Sequence, residues 1–417
     1  HSRAPSVGRL LTRGHPAAVA AVQAMVAGRP PHAAILAGPL GVGKTTLALD
    51  LAAGLLCEAE TPRDRPCREC RGCRLVDHGT HADLHRLAPS GPGLQVRIGD
   101  RASPEAGTVR RLIADLALLP VEGGARIAIV ERADRLNEDA QSALLKILEE
   151  PPAGVTIVLC ADRDDLLLPT VRSRCVRLRL GPVAVREIEA LLADSGVADA
   201  SRASRLARLA GGRPGTALTL ALAPEAVTAR DEIARSLLDL GGARAASRLG
   251  LARDLLARGG ELASALDRVG TVRIGDAAAL APGPGRTRRP RTKAAPVVVA
   301  APSEAASSGD GGEGQDGSEV SGVRAPAVER RRAAATLVEI WRDVARDLLL
   351  VTLDEEQRVR DPALLDDLRA AATIASDDLR AFIARLALTA ELLEANVSPE
   401  LAIDALLLAW PRLTRAA

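Results

Sequence analysis

Ala33-Ala-Ile-Leu-Ala-Gly-Pro-Leu-Gly-Val-Gly-Lys-Thr-Thr46 decides the fold. Its first five residues are an apolar run of strand length, and the residues after it carry glycines at positions 38, 41 and 43. Gly38 to Thr45 fit the pattern G-x4-G-K-[ST], which needs a strand before it and a helix after it to work as a phosphate cradle. Glycines let the backbone curl so that successive N–H groups face phosphate oxygens, and the helix adds the positive end of its dipole. Lys44 then neutralises the β and γ phosphates, while the hydroxyl of Thr45, followed by Thr46, is placed to hold Mg²⁺. ATP with Mg²⁺ is the expected ligand. The bland alternative is a glycine-rich turn with a solvated lysine.

Working outward, Arg126–Val130 and Val155–Cys160 are two more apolar runs of strand length, each stopping at a polar loop. With helical patterns between them, residues 1–180 read as an α/β domain, a parallel sheet flanked by helices. Hydrolysis would also need an acidic metal partner and a base at the end of a second strand. Glu131 takes the metal-side position, a degenerate Walker B. The next residue is Arg132, which cannot accept a proton. Asp134 stands too far along and reads as a surface carboxylate. The sequence therefore predicts nucleotide binding without efficient turnover.

Cys57, Cys67, Cys70 and Cys73 give C-x9-C-x2-C-x2-C, enough soft ligands for a closed tetrahedral structural zinc site. Arg68, Arg71 and Arg74 are expected to keep this knuckle exposed and basic. His78, His81 and His85 are either outer hydrogen-bond donors to the knuckle or ordinary surface histidines. Cys160 and Cys175 read as small buried hydrophobes.

Composition bounds the rest. At 417 residues, two or three domains are expected. Phe382, Trp341 and Trp410 are the only aromatic residues, so gripping single strands by base stacking is disfavoured. A formal net charge of +2 gives no global basic field. No run of about 18 or more apolar residues and no apolar leader is visible, which points to a cytoplasmic protein with no membrane contact. Residues 181–223 read as a small helical lid, with Ile188, Leu191, Leu192, Leu206 and Leu209 facing inward. Residues 224–417 read as a helical domain interrupted by a disordered segment at 275–328, with helices resuming near Ala333 and Leu392, Leu393, Leu401 and Ile403 among the buried candidates. Arg286, Arg288, Arg289, Arg291 and Lys293 in that segment either touch phosphate or form a solvated basic patch.

Several segments together resemble the AAA+ clamp-loader subunits of bacterial DNA polymerase III, especially those of the delta-prime type. They are His32 to Thr46, the cysteine knuckle running into Gly79-Thr-His-Ala-Asp-Leu84, Gln141-Ser-Ala-Leu-Leu-Lys-Ile-Leu-Glu-Glu-Pro-Pro152, and Ser173-Arg174-Cys175. The resemblance covers residues 8–250 and continues loosely at Trp341-Arg342 and Leu393–Ala402, where it implies a C-terminal collar. Read physically, Gln141–Pro152 is a helix capped by Asn137, with Leu144, Leu145 and Leu148 on its buried face and ended by the two prolines. The resemblance implies that Arg174 is an arginine finger offered in trans to a neighbour's ATP, a task suited to a planar, permanently charged guanidinium. It also implies gamma/tau ATPase and delta subunits as partners, and the sliding clamp and primed DNA as targets of the assembly. Two departures point away from the ATPase members. Glu131-Arg132 replaces their Asp-Glu, and Gly215 stands where their second-domain arginine would be, leaving Arg213 as the residue able to approach the γ-phosphate. An active DNA-stimulated ATPase subunit and a zinc-bearing P-loop regulator without a DNA role remain as alternatives.

Overall fold

The computed structural model describes residues 8–89, 96–100, 102–122, 124–269, 326–395 and 397–412. Five parallel strands, β1 (Ala33–Ala37), β2 (Leu84–Leu87), β3 (Arg126–Val130), β4 (Val155–Ala161) and β5 (Val176–Arg179), form one sheet in the order β2-β3-β4-β1-β5. The three central strands are buried throughout because both faces are covered, so they are the ones visible as apolar runs. β2 (LHRL) and β5 (VRLR) lie at the edges and were not anticipated: they carry partly exposed polar residues that break the apolar run.

Successive strand residues feed opposite faces. Leu36, Ile127, Ile129 and Val158 pack against α1 (Pro16–Ala27), α2 (Lys44–Leu55) and α3 (Arg71–His78). Ile35, Ala128, Val130, Ile157 and Leu159 pack against α4 (Val109–Leu116), α5 (Glu138–Glu149) and α6 (Pro169–Arg172). Asn137 caps α5 as expected, accepting the Ala140 N–H at 2.9 Å, and Leu144 and Leu148 are buried while Leu145 is half-buried.

Three helices follow: α7 (Val185–Asp194), α8 (Ala200–Leu209) and α9 (Pro214–Leu222). They share a separate core that includes Ile188, Leu191, Leu192, Leu206 and Leu209. Helices α10 (Pro224–Asp239), α11 (Ala245–Gly250), α12 (Ala252–Val269), α13 (Ala327–Thr352), α14 (Leu365–Ala371), α15 (Ser376–Glu394) and α16 (Pro399–Ala409) build another. The segment expected to be disordered lies outside the described residues except for 326–328, where α13 has already begun at Ala327, ahead of the expected restart near Ala333. A chain of buried ion pairs joins the two helical bodies: Arg205 of α8 pairs with Asp231 at 2.6 Å and with Asp361 at 3.1 Å, and Arg230 reaches both Asp361 and Asp343. Leu393 and Ile403 are buried as expected, but Leu392 and Leu401 are exposed by 41% and 67%. Adjacent helical residues point about 100° apart, so Leu392 cannot share the inward face that Leu393 occupies.

All three aromatic rings meet in the C-terminal body. Trp341 lies 5.5 Å from Phe382 and 5.7 Å from Trp410, and Phe382 meets Trp410 edge-on at 4.9 Å between centroids. Tryptophan emission therefore reports this body alone. Phe382→Ala should destabilise it by about 3–5 kcal/mol, the range for removing a buried ring, measured as a lower denaturant midpoint of the fluorescence transition. A loss under about 1 kcal/mol would mean that the cluster packs too loosely to count as a core.

Candidate nucleotide site and metal centre

The glycine-rich loop leaves β1 at the sheet's C-terminal edge, where the Gly38 N–H bonds to Ala161 O at 3.2 Å. A Cβ on Gly38 would stand 2.2 Å from the Leu180 carbonyl oxygen, so only glycine fits there. Gly41 and Gly43 take φ values of 79° and 111°, and Gly43 caps α2. This curl, with a helix N-terminus behind it, fits a phosphate group. Lys44 opens α2 and is buried. Its ammonium donates to Gly38 O at 2.6 Å and Pro39 O at 2.8 Å, and lies 2.7 Å from Asp162 Oδ1. Thr45 and Thr46 follow in the first helical turn, half-buried.

The acidic side of the site differs from the sequence reading. Glu131, directly after β3, is paired with Arg86, whose Nε donates to Oε1 at 3.0 Å and whose Nη2 reaches the same oxygen. Arg132 adopts a left-handed φ of 52° and turns its Nε to within 3.5 Å of Asp162 Oδ2. Asp134 is not a surface carboxylate. Its side chain is 4% exposed and its Oδ1 accepts the Asp162 N–H at 2.9 Å, completing a backbone donor where β4 ends. Asp162 itself was missed, although its place just beyond an apolar strand of a parallel sheet is where such sheets hold ligands. Nearby Cys160 is inert as expected: burial first, then the charges of Glu131 and Asp162, push its thiol up to about 12 against the pull of Lys44 and Arg86.

Arg213 caps the start of α9, which rests on the phosphate loop through a 2.9 Å bond from the Gly215 N–H to Gly41 O. The Arg213 guanidinium, however, donates to Ala210 O at 3.0 Å and approaches Glu339 of α13 at 3.8 Å. The described contacts of Arg174 lie elsewhere. Following α6, it donates to Thr170 O at 2.9 Å and pairs with Glu149 at 2.7 Å. Gln141 fastens this segment to α5, donating to Leu166 O and accepting the Leu168 N–H at 2.6 Å.

The four cysteine sulfurs lie within 4.8 Å of one another and could hold a metal ion. Backbone N–H groups point at the sulfurs: Cys67 at Cys57 (3.4 Å), Cys70 at Cys67 (3.3 Å) and Cys73 at Cys70 (3.3 Å). At Cys67 burial raises the pKa, but N–H groups of Glu69 and Cys70 with neighbouring thiols outweigh it and bring the thiol down to about 7. Burial pushes Cys57 and Cys73 up, and a bound cation is what would let such thiols ionise together. Among the histidines, His81 is buried with Nδ1 accepting the Asp83 N–H, His85 is half-buried near Asp115, and His78 is exposed.

Arg71 and Arg74 are exposed as expected of a basic knuckle, but Arg68 is not. Its side chain is 10% exposed and pairs with Asp77 and with Asp50, a fully buried residue of α2. Asp50 also accepts the N–H groups of Leu11 and Thr12 and the Thr12 hydroxyl. This carboxylate clamps the N-terminal segment and the knuckle onto the helix that begins with Lys44. Arg68→Ala should destabilise the N-terminal unit by about 3 kcal/mol, because it strands a buried carboxylate. Adding Asp50→Asn should recover part of that loss. Calorimetric melting of the single and double variants checks this, and strictly additive effects would disprove the pairing.

Comparisons with known proteins agree with this geometry. Residues 14–184 match the family model described as DNA polymerase III, delta subunit. The chain is 35% identical over 190 residues to DNA polymerase III subunit delta' of Pseudomonas aeruginosa, covering 45% of this chain and 55% of that protein. It is 33% identical to the Escherichia coli delta' subunit, covering 46% and 55%. With the tau subunit of Salmonella typhimurium it shares 32% identity, over 46% of this chain and 29% of that one. The chain thus spans about half the length of the delta' relatives that it matches. Over residues 14–184 the chain is similar to the delta-prime subunits of DNA polymerase III.

Proposed function

We propose that this chain is a cytoplasmic, delta-prime-type ring member that assembles with gamma/tau ATPase and delta subunits to load a sliding clamp onto primed DNA. The observation that carries the reading is the state of the acidic side of the phosphate loop. Glu131 is paired with Arg86, and the following position holds Arg132 bound to Asp162, so neither residue offers a free carboxylate to activate water. Gly38, Gly41, Gly43, Lys44, Thr45 and Thr46 would hold ATP and Mg²⁺, which would supply phosphate charge to the loop and its helix. Arg213 would release Ala210 O and Glu339 to turn toward that site. Arg174 would leave Glu149 and serve a neighbour's triphosphate, with Gln141 positioning the segment that bears it. Cys57, Cys67, Cys70 and Cys73 would hold a structural zinc that stiffens the knuckle against α2.

The isolated chain should release little phosphate, at the level of a Lys44→Ala control. In a ring reconstituted with gamma/tau and delta subunits, Arg174→Ala should slow the one site it serves by roughly a thousandfold, the lower end for arginine fingers. The readout is a pre-steady-state phosphate burst that loses one active-site equivalent. Brisk Mg²⁺-dependent turnover by the isolated chain would favour instead an active ATPase subunit, a reading supported by the similarity to tau. Metal analysis should find one zinc per chain, and Cys70→Ser should lower both zinc content and melting temperature. Full stability of that variant without zinc would refute the structural role.

A further inference from the structure

We infer that Asp162 makes the phosphate site prefer a nucleoside diphosphate to a triphosphate. The inference rests on the nucleotide-binding reading above and assigns that site its ligand selectivity. The Lys44 ammonium donates hydrogen bonds to Gly38 O at 2.6 Å and Pro39 O at 2.8 Å, and its charge is paired with Asp162 Oδ1 at 2.7 Å. In a loop of this pattern the backbone cradles the α and β phosphates and the lysine reaches the β and γ phosphates, so the third phosphate depends on the lysine more than the second does. Here that lysine is already spent on a carboxylate.

Asp162 is also held in place. Its N–H is bonded to Asp134 Oδ1 at 2.9 Å, so the backbone cannot carry the side chain away, and the side chain is 17% exposed, leaving little water to screen its charge. Oδ1 has no aligned hydrogen bond, so its charge is offset only by ionic contact with Lys44, and Oδ2 has Arg132 at 3.5 Å. A third phosphoryl group must therefore compete with a fixed anion for Lys44 and tolerate that anion beside it. A diphosphate, gripped by the loop amides, meets less of this repulsion. Arg132 sets the size of the effect, because it neutralises part of Asp162.

The test is titration calorimetry of the purified full chain with ADP and with ATP, both with Mg²⁺. The native chain should bind ADP at least tenfold more tightly than ATP. Asp162→Asn, which keeps shape and the backbone bond to Asp134, should tighten ATP about tenfold and move ADP by less than threefold. Arg132→Ala should shift the ratio the other way, weakening ATP several-fold further, so the two variants together separate charge from misfolding. An unchanged ratio in Asp162→Asn, or weaker ATP binding there, overturns the inference and would mean that Asp162 assists the triphosphate. If neither nucleotide binds the native chain, and Lys44→Ala is indistinguishable from it, the nucleotide-site reading falls and this inference with it.

Discussion

A buried ammonium that has to be satisfied organises the centre of this protein. Lys44 sits at the start of α2 with almost no access to water, and a charge in that position is tolerable only when it is paired and hydrogen-bonded. The loop carbonyls of Gly38 and Pro39 supply two partners, which requires the tight curl that the glycines allow. Asp162 supplies the third and thereby ties the end of β4 to the loop. Once Asp162 is committed, Arg132 is drawn toward it and Glu131 is left to Arg86. Glu131 and Asp162 thus each have a cation from their own chain.

The same helix is braced from behind. Asp50, near its middle, gathers Leu11, Thr12 and Arg68 into one buried cluster, and Arg68 stands between two of the cysteines. Removing a charge from water demands partners, and here those partners come from a segment before the helix and a loop after it. A metal in the knuckle would rigidify the loop that carries Arg68, so its influence would reach α2 through that ion pair and through the contact of Cys73 Sγ with Ala53 O at 3.6 Å. Glu122 ties the other side of the knuckle, accepting a two-pronged contact from Arg71 at 2.8 and 3.1 Å.

What the sequence revealed follows from how local each signal is. The phosphate loop, the cysteine spacing and the three central strands are short contiguous patterns whose meaning depends on neighbours a few residues away, and all were readable. The edge strands β2 and β5 were not, since exposure of one side gives them polar residues that resemble loop. Arg68 looked like surface charge because its partner Asp50 lies 18 residues away. Asp162 and Asp134 were opaque for a related reason. Their roles come from β3 and β4 being adjacent in the sheet, and strand order is a global property that no single motif encodes.

The contact between α9 and the phosphate loop links these local facts to the behaviour of the whole chain. The resemblance implies an arginine in the ATPase members where this chain has Gly215, and a Cβ at Gly215 would lie 3.1 Å from Gly41 O, tighter than ordinary contact. Its N–H bonds to that same oxygen, so loop and helix meet backbone to backbone. An arginine at this position would have to push the two apart, which would make their spacing sensitive to what the loop holds. With glycine they stay joined. The remaining arginine, Arg213, leans toward Glu339 of α13, while Arg205 locks α8 to Asp361. The α/β unit, the three-helix unit and the C-terminal body are thus coupled by a short backbone bond and buried ion pairs, an arrangement that resists opening. Because these ties run from the phosphate loop through α9 to the C-terminal body, a displacement of the loop would be felt by all three units.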